Sequence, residues 1–134
     1  MKKILLPFIF TLFLLLTACN NDQEILAFFD EWDDTTNIML QKIEAGDIDG
    51  ARLVFDAHKE NLKSGWRKIP RSRSGGNGKI YMSSAVKKRY DGSFSQNINA
   101  ITNTFITFEN KFGKDKTKVE KLKILDTEYR EIFR

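Results

Sequence analysis

The sequence predicts an all-α domain: a small four-helix bundle built as two antiparallel helical hairpins with a long basic connection between them. Three observations carry this. Four segments repeat apolar residues at intervals of three and four, the spacing of one helix face. Two of the joints are short and carry glycine and aspartate, which suits tight helix–helix turns. The middle joint, IPRSRSGGNGK over 69–79, is long and has no apolar period.

The first segment, QEILAFFDEWDDTTNIMLQKIEAG, aligns Ile25, Phe28, Phe29, Trp32, Met39 and Ile43, with Thr35 and Thr36 filling one turn of the stripe. Gly46 ends it and Asp47 caps the next, because glycine enters the left-handed region freely and a carboxylate accepts from free helix amides. The second helix aligns Ile48, Ala51, Phe55, His58, Leu62 and Trp66. Residues 80–90 fit a short helix on Met82, Ala85, Val86 and Tyr90, or a strand opening at Ile80. Asp91, Gly92 and Ser93 read as a break before a third long helix. Its seam Phe94, Ile98, Ile101, Phe105, Phe108, Phe112 has heptad spacing. Gly113 stops that helix, and the fourth brings Val119, Leu122, Leu125, Tyr129 and Ile132 onto one face.

Ahead of this body stands MKKILLPFIFTLFLLLTAC. Lys2 and Lys3 precede an uncharged stretch from Ile4 to Ala18, which is the layout of an export signal. The stretch is shorter than the roughly 20 apolar residues a permanent span needs, and it contains Pro7. Its last residues, Leu16, Thr17, Ala18 and Cys19, resemble the lipobox of bacterial lipoproteins. The resemblance implies a diacylglyceryl group on the Cys19 sulfur, cleavage after Ala18 and acylation of the new amino terminus. It divides the chain into a signal peptide (1–18), a lipidated cysteine with a short tether (19–22) and a helical domain (23–134). By the sorting habits of that class, Asn20 rather than aspartate after the cysteine implies the outer membrane, with the domain facing the periplasm. The inner membrane and the cell surface are the alternatives. Two or more acyl chains hold a protein stably at a bilayer, whereas one holds only marginally.

Cys19 is the single cysteine, so packing rather than disulfides must stabilise the domain. The 134 residues less the leader suffice for one domain. Charge is strongly polarised along the chain. From Asn20 to Glu60 eleven acids oppose three bases, a balance of −8; from Asn61 onward seventeen bases oppose seven acids, a balance of +10. The stretch from Asn61 to Tyr90 holds nine bases and no acid. Arg67, Lys68, Arg71, Arg73, Lys79, Lys87, Lys88 and Arg89 are therefore the candidate binding residues for an anionic partner. For an exported, anchored domain that partner is an envelope protein, an anionic lipid or lipopolysaccharide. The competing expectation is that the acidic first helix neutralises the tract within the molecule.

Other chemistries fit poorly. His58 is the only histidine and lies on an apolar stripe, where a core position is expected. Aligned as a calcium loop, DIDG puts Ala45 where the first carboxylate belongs and Asp56 in place of the closing glutamate. GGNGK lacks the first glycine and the final Ser or Thr of a phosphate loop, with Arg73 and Ile80 in those places. No cofactor, metal, nucleic acid or small-molecule substrate is expected. The sequence points to a non-catalytic binding or accessory module. An immunity or exclusion lipoprotein that neutralises an incoming factor is the alternative, and an envelope hydrolase the second. The uncharged stretch from Gly92 to Phe108 is compatible with a protein interface, because it carries no charge to desolvate.

Overall fold

A computed structural model describes the backbone of residues 5–69 and 82–134, and the side chains of residues 22–69 and 82–134. Four helices make up the fold: α1 (Leu5–Glu44), α2 (Ile48–Lys68), α3 (Ser84–Phe112) and α4 (Lys116–Ile132). The protein is all-helical, a small four-helix bundle. Among the described residues, no helix is long and apolar enough to cross a membrane.

Both tight turns form as their residues dictate. Gly46 adopts φ 78°, and its N–H and that of Asp47 return to the carbonyls of Ile43 and Lys42. Asp47 then accepts from Gly50 N–H at 2.9 Å to start α2. The aspartate cap recurs between α3 and α4, where Asp115 accepts from Lys118 N–H at 3.1 Å, while Gly113 stays right-handed at φ −60°. These turns give the two hairpins, α1–α2 and α3–α4.

Polar contacts fix how the hairpins meet. Asp30 and Asp33 reach Arg89, Ser93 and Asn97, and farther along Glu44 reaches Thr104, so α1 and α3 run parallel. Asp49 pairs with Lys121 and Lys59 with Glu128, so α2 and α4 are parallel as well. Each antiparallel hairpin lies flat against the other, with α1 on α3 and α2 on α4; contact between α3 and α4 themselves is sparse. The last turn of α2, the first turns of α3 and the end of α4 consequently gather around residues 24–33 of α1.

The core follows the stripes read from sequence on α1, α2 and α4, apart from His58 and Val119. On α1, Ile25, Phe28, Phe29, Trp32, Met39 and Ile43 are buried together with Leu40, Thr35 and Thr36. On α2 these are Ile48, Ala51, Phe55, Leu62 and Trp66, and on α4 Leu122, Leu125, Tyr129 and Ile132. Val119 is only partly covered.

Three expectations need correction. Asp91, Gly92 and Ser93 do not interrupt a helix, since α3 runs through them from Ser84. Ser83 caps it, accepting from Val86 N–H at 3.2 Å, which settles 84–90 as helix; Ile80 and Tyr81 lie outside the described residues. The expected heptad seam is rotated in its first half: Phe94 and Ile98 are 39% and 42% exposed, while the residues before them, Ser93 and Asn97, are buried. The reason lies on α1, where Asp33 is buried and needs donors. Finally, His58 is half-exposed at the α1–α2 boundary, its Nδ1 2.9 Å from Glu31 Oε1.

Candidate functional site at the basic end of the bundle

Of the sequence-selected residues, the five that are described are brought together by the topology. Arg67 and Lys68 occupy the last turn of α2, and Lys87, Lys88 and Arg89 the first turns of α3. Trp66 stacks on Tyr90 with ring centroids 6.2 Å apart, which joins these two helix ends. Arg71, Arg73 and Lys79 lie outside the described residues, on a connection whose flanking residues, Ile69 and Met82, both sit at this end. Cys19 falls within α1, five residues before Glu24; its side chain is likewise outside the described set.

Part of the tract is met from within. Lys68 Nζ is 3.2 Å from Glu24, Lys87 Nζ 2.5 Å from Asp91, and Arg89 lies 2.6 Å from Asp30 and 2.9 Å from Asp33. The pairs of Lys68 and Lys87 are more than half exposed on both sides, so water screens them and each contributes at most about 1 kcal/mol. Arg67 and Lys88 form no ion pair among the described residues. The acidic first helix therefore neutralises the tract only in part.

Arg89 belongs to a different kind of arrangement. Asp33 is 8% exposed and accepts from Ser93 Oγ at 3.0 Å and Asn97 Nδ2 at 2.9 Å, besides facing Arg89. Three donors on successive turns of α3 thus hold one buried carboxylate, and this fixes the register of α3 on α1. A second buried cluster ties α4 to α1. Tyr129 Oη accepts from Trp32 Nε1–H at 2.7 Å and shares another 2.7 Å bond with Thr36 Oγ1. Burial pushes the phenol up to about 12, against the opposing pull of those two bonds.

Two grooves flank the bundle. One of about 300 Å³ lies between α1 and α2 and is lined by Glu24, Phe28, Glu31, Asn61, Gly65 and Lys68. The other, about 120 Å³, lies where α3 and α4 splay and is lined by Phe105, Phe108, Val119, Leu122, Lys123 and Asp126. Neither gathers a nucleophile with a base. Among the described residues, no group of three or more His, Cys, Asp or Glu side chains is arranged to hold a metal ion. Composition gave no signal for Asp33, since its sequence neighbours Asp30, Glu31 and Asp34 read alike as a solvated face. Only the small polar residues Ser93 and Asn97, one turn apart on α3, could have marked its partner face.

No family model matches the chain, and no curated protein or solved structure is similar to it.

Proposed function

We propose that this protein is a lipid-anchored envelope lipoprotein of the outer membrane, facing the periplasm, whose helical domain works by binding rather than by catalysis. The observation that carries the reading is Leu16-Thr17-Ala18-Cys19 at the end of a basic-then-apolar leader. It is supported by charge: nine bases without an acid between Asn61 and Tyr90 favour an anionic envelope component or an acidic face of an envelope protein. A small helical bundle suits an accessory or a neutralising role equally, and the accessory role needs nothing beyond this charge.

The test is mass analysis and membrane fractionation of the protein in its host, with Cys19→Ala beside wild type. Wild type carries diacylglyceryl on Cys19 and sediments with the outer membrane; the variant loses the lipid mass and the sedimentation. A bare thiol on wild-type protein, or a variant that stays in the outer-membrane fraction, overturns the reading.

A further inference from the structure

We propose that the outer face of α3 is where two copies of this chain meet, α3 lying antiparallel on α3 of the second copy about a two-fold axis. The proposal goes beyond the lipoprotein reading and does not rest on it. Three observations lead to it.

The first is an apolar row with no charge in it. Phe94, Ile98, Thr102 and Ile106 follow one another at intervals of four, and all are exposed, Phe94 at 39%, Ile98 at 42% and Ile106 at 56%. Thr102 does not interrupt the row, because its hydroxyl donates to the Ile98 carbonyl at 2.9 Å and is already satisfied on its own helix. No residue from Gly92 to Phe108 is charged. The other exposed large apolar side chains among the described residues stand singly, with charges one turn away on both sides: Asp34 and Lys42 around Ile38, Asp49 and Asp56 around Leu53, Glu120 and Glu128 around Ile124.

The second is that the row matches itself. Residues at a spacing of four form one ridge of a helix, and two such ridges interlock at a crossing of about −50°. A two-fold axis at the level of residue 100 sets Phe94 opposite Ile106 of the second copy and Ile98 opposite its Thr102, so every member of the row meets another member. Ser95, Asn99 and Asn103, exposed beside the row, supply hydrogen-bonding groups to the rim of such a contact.

The third is charge. Residues 20–134 sum to +2, the −8 and +10 of the two stretches, so two copies repel only weakly as wholes. Antiparallel packing sets residues 87–91, which sum to +2, against residues 109–113, which sum to zero; a parallel pair would set +2 against +2. The like charges that this arrangement pairs, Asp91 and Glu109 of the second copy, each lie nine residues from the axis. At the crossing given above they are about 14 Å apart, beyond a Debye length of about 8 Å. Asp91 is moreover paired with Lys87. The charges that edge the row toward α4, Glu109, Lys123 and the Asp126–Arg130 pair, cancel. A neutral apolar row that complements itself fits a second copy, whereas a charged partner gains nothing from it.

One helix crossing covers less than the roughly 1,600 Å² of a standard interface, so the dimer is weak, with a dissociation constant on the order of 100 μM. The mature protein is followed by sedimentation equilibrium in density-matched micelles from about 10 μM to about 1 mM, a decade on either side of that constant. Monomer is expected to give way to dimer over this range, and high salt is expected to leave the dimer in place. An Ile98→Glu/Ile106→Glu double variant, changed at two exposed positions, is expected to stay monomeric throughout while unfolding at the wild-type denaturant midpoint. Orientation is read without any disruptive variant: a photoreactive Phe94→benzoylphenylalanine chain, irradiated at the highest concentration, is expected to join to residues 102–109 of the second copy. A wild type that stays monomeric, a dimer that the double variant retains or that salt dissolves, or crosslinks that land on residues 90–98 of the second copy overturns the proposal. None of these readings depends on the lipid, so a bare Cys19 thiol overturns the lipoprotein reading and leaves the dimer standing.

Discussion

At the scale of single residues, the groups that cost most to bury are those that specify the fold. Tyr129 places a hydroxyl in the core, where it is satisfied by Trp32 and Thr36. Removing it in Tyr129→Phe leaves the Trp32 indole N–H without its acceptor, and the expected loss is about 1–3 kcal/mol by urea denaturation at neutral pH. The same residue sets an alkaline limit. Its folded value near 12 lies above the ordinary 10, so the unfolded chain gives up the proton first, and folding stability falls as pH rises above about 10. Tyr129→Phe is expected to remove that share of the alkaline decline; an unchanged slope would show that the phenol does not titrate with unfolding. Asp33 obeys the same logic with opposite charge. Asp33→Ala strips Ser93 and Asn97 of their acceptor and leaves Arg89 with Asp30 alone, and is expected to cost about 3 kcal/mol, whereas a Ser93→Ala change removes one donor and costs nearer 1 kcal/mol.

At the scale of elements, α2 and α4 are joined across their polar flanks by Glu128, which meets Lys59 at 3.1 Å and Arg52 at 2.9 Å. Hydrogen bonding from Lys59, then Arg52, holds the Glu128 carboxyl below the ordinary carboxylate range. A depressed folded value means that the unfolded state binds more protons, so this contribution is fully present above the unfolded pKa and is lost as pH falls through the folded one. Glu128→Gln is therefore expected to flatten the acid limb of the stability profile below about pH 5 while shifting it little at alkaline pH, as read by denaturation midpoints across pH. Elements also show where sequence reading succeeds and where it stops. The stripes of α1, α2 and α4 were legible because apolar residues dominate their buried faces, Thr35, Thr36 and Asp33 on α1 apart, and Gly46 and Asp47 were legible because their backbone roles follow from local chemistry. The start and the rotation of α3 were not. Gly92 has open space where a side chain would stand and φ on the ordinary side, so nothing forces a break there. Ser93 and Asn97 look like surface residues until Asp33, sixty residues away, supplies the charge that draws them inward. Of the candidate site, the cluster of bases was legible as composition, and the Glu24–Lys68 pair follows from the α1–α2 hairpin, whereas neutralisation of Arg89 by Asp30 depends on the parallel pairing of α1 with α3, which no local signal encodes.

At the scale of the whole molecule, Trp32 is the point where the four helices converge. Its ring meets Phe28 and Phe29 of α1, Trp66 of α2, Phe94 of α3 and Phe133 at the end of α4, with centroids between 4.7 and 6.5 Å apart. The tight turns at Gly46 and Gly113 each close one hairpin at the opposite end, whereas at this end the rings around Trp32, beside the Asp33 contacts to α3, pack the two hairpins against each other. Truncation in Trp32→Ala is expected to cost about 3–5 kcal/mol. For a domain of this size that is a large part of a total stability of about 5–15 kcal/mol, and the thermal midpoint is expected to fall by roughly 10–20 °C. The variant also isolates a reporter, because Trp66 becomes the only indole. If one core unites both hairpins, Trp66 fluorescence and far-ultraviolet circular dichroism lose their signals in a single coincident transition, at the lower temperature. Two separated transitions, with α2 and its indole reporting earlier or later than the bulk of the helix signal, would mean that each hairpin holds itself together and that the aromatic junction around Trp32 merely brings them into contact.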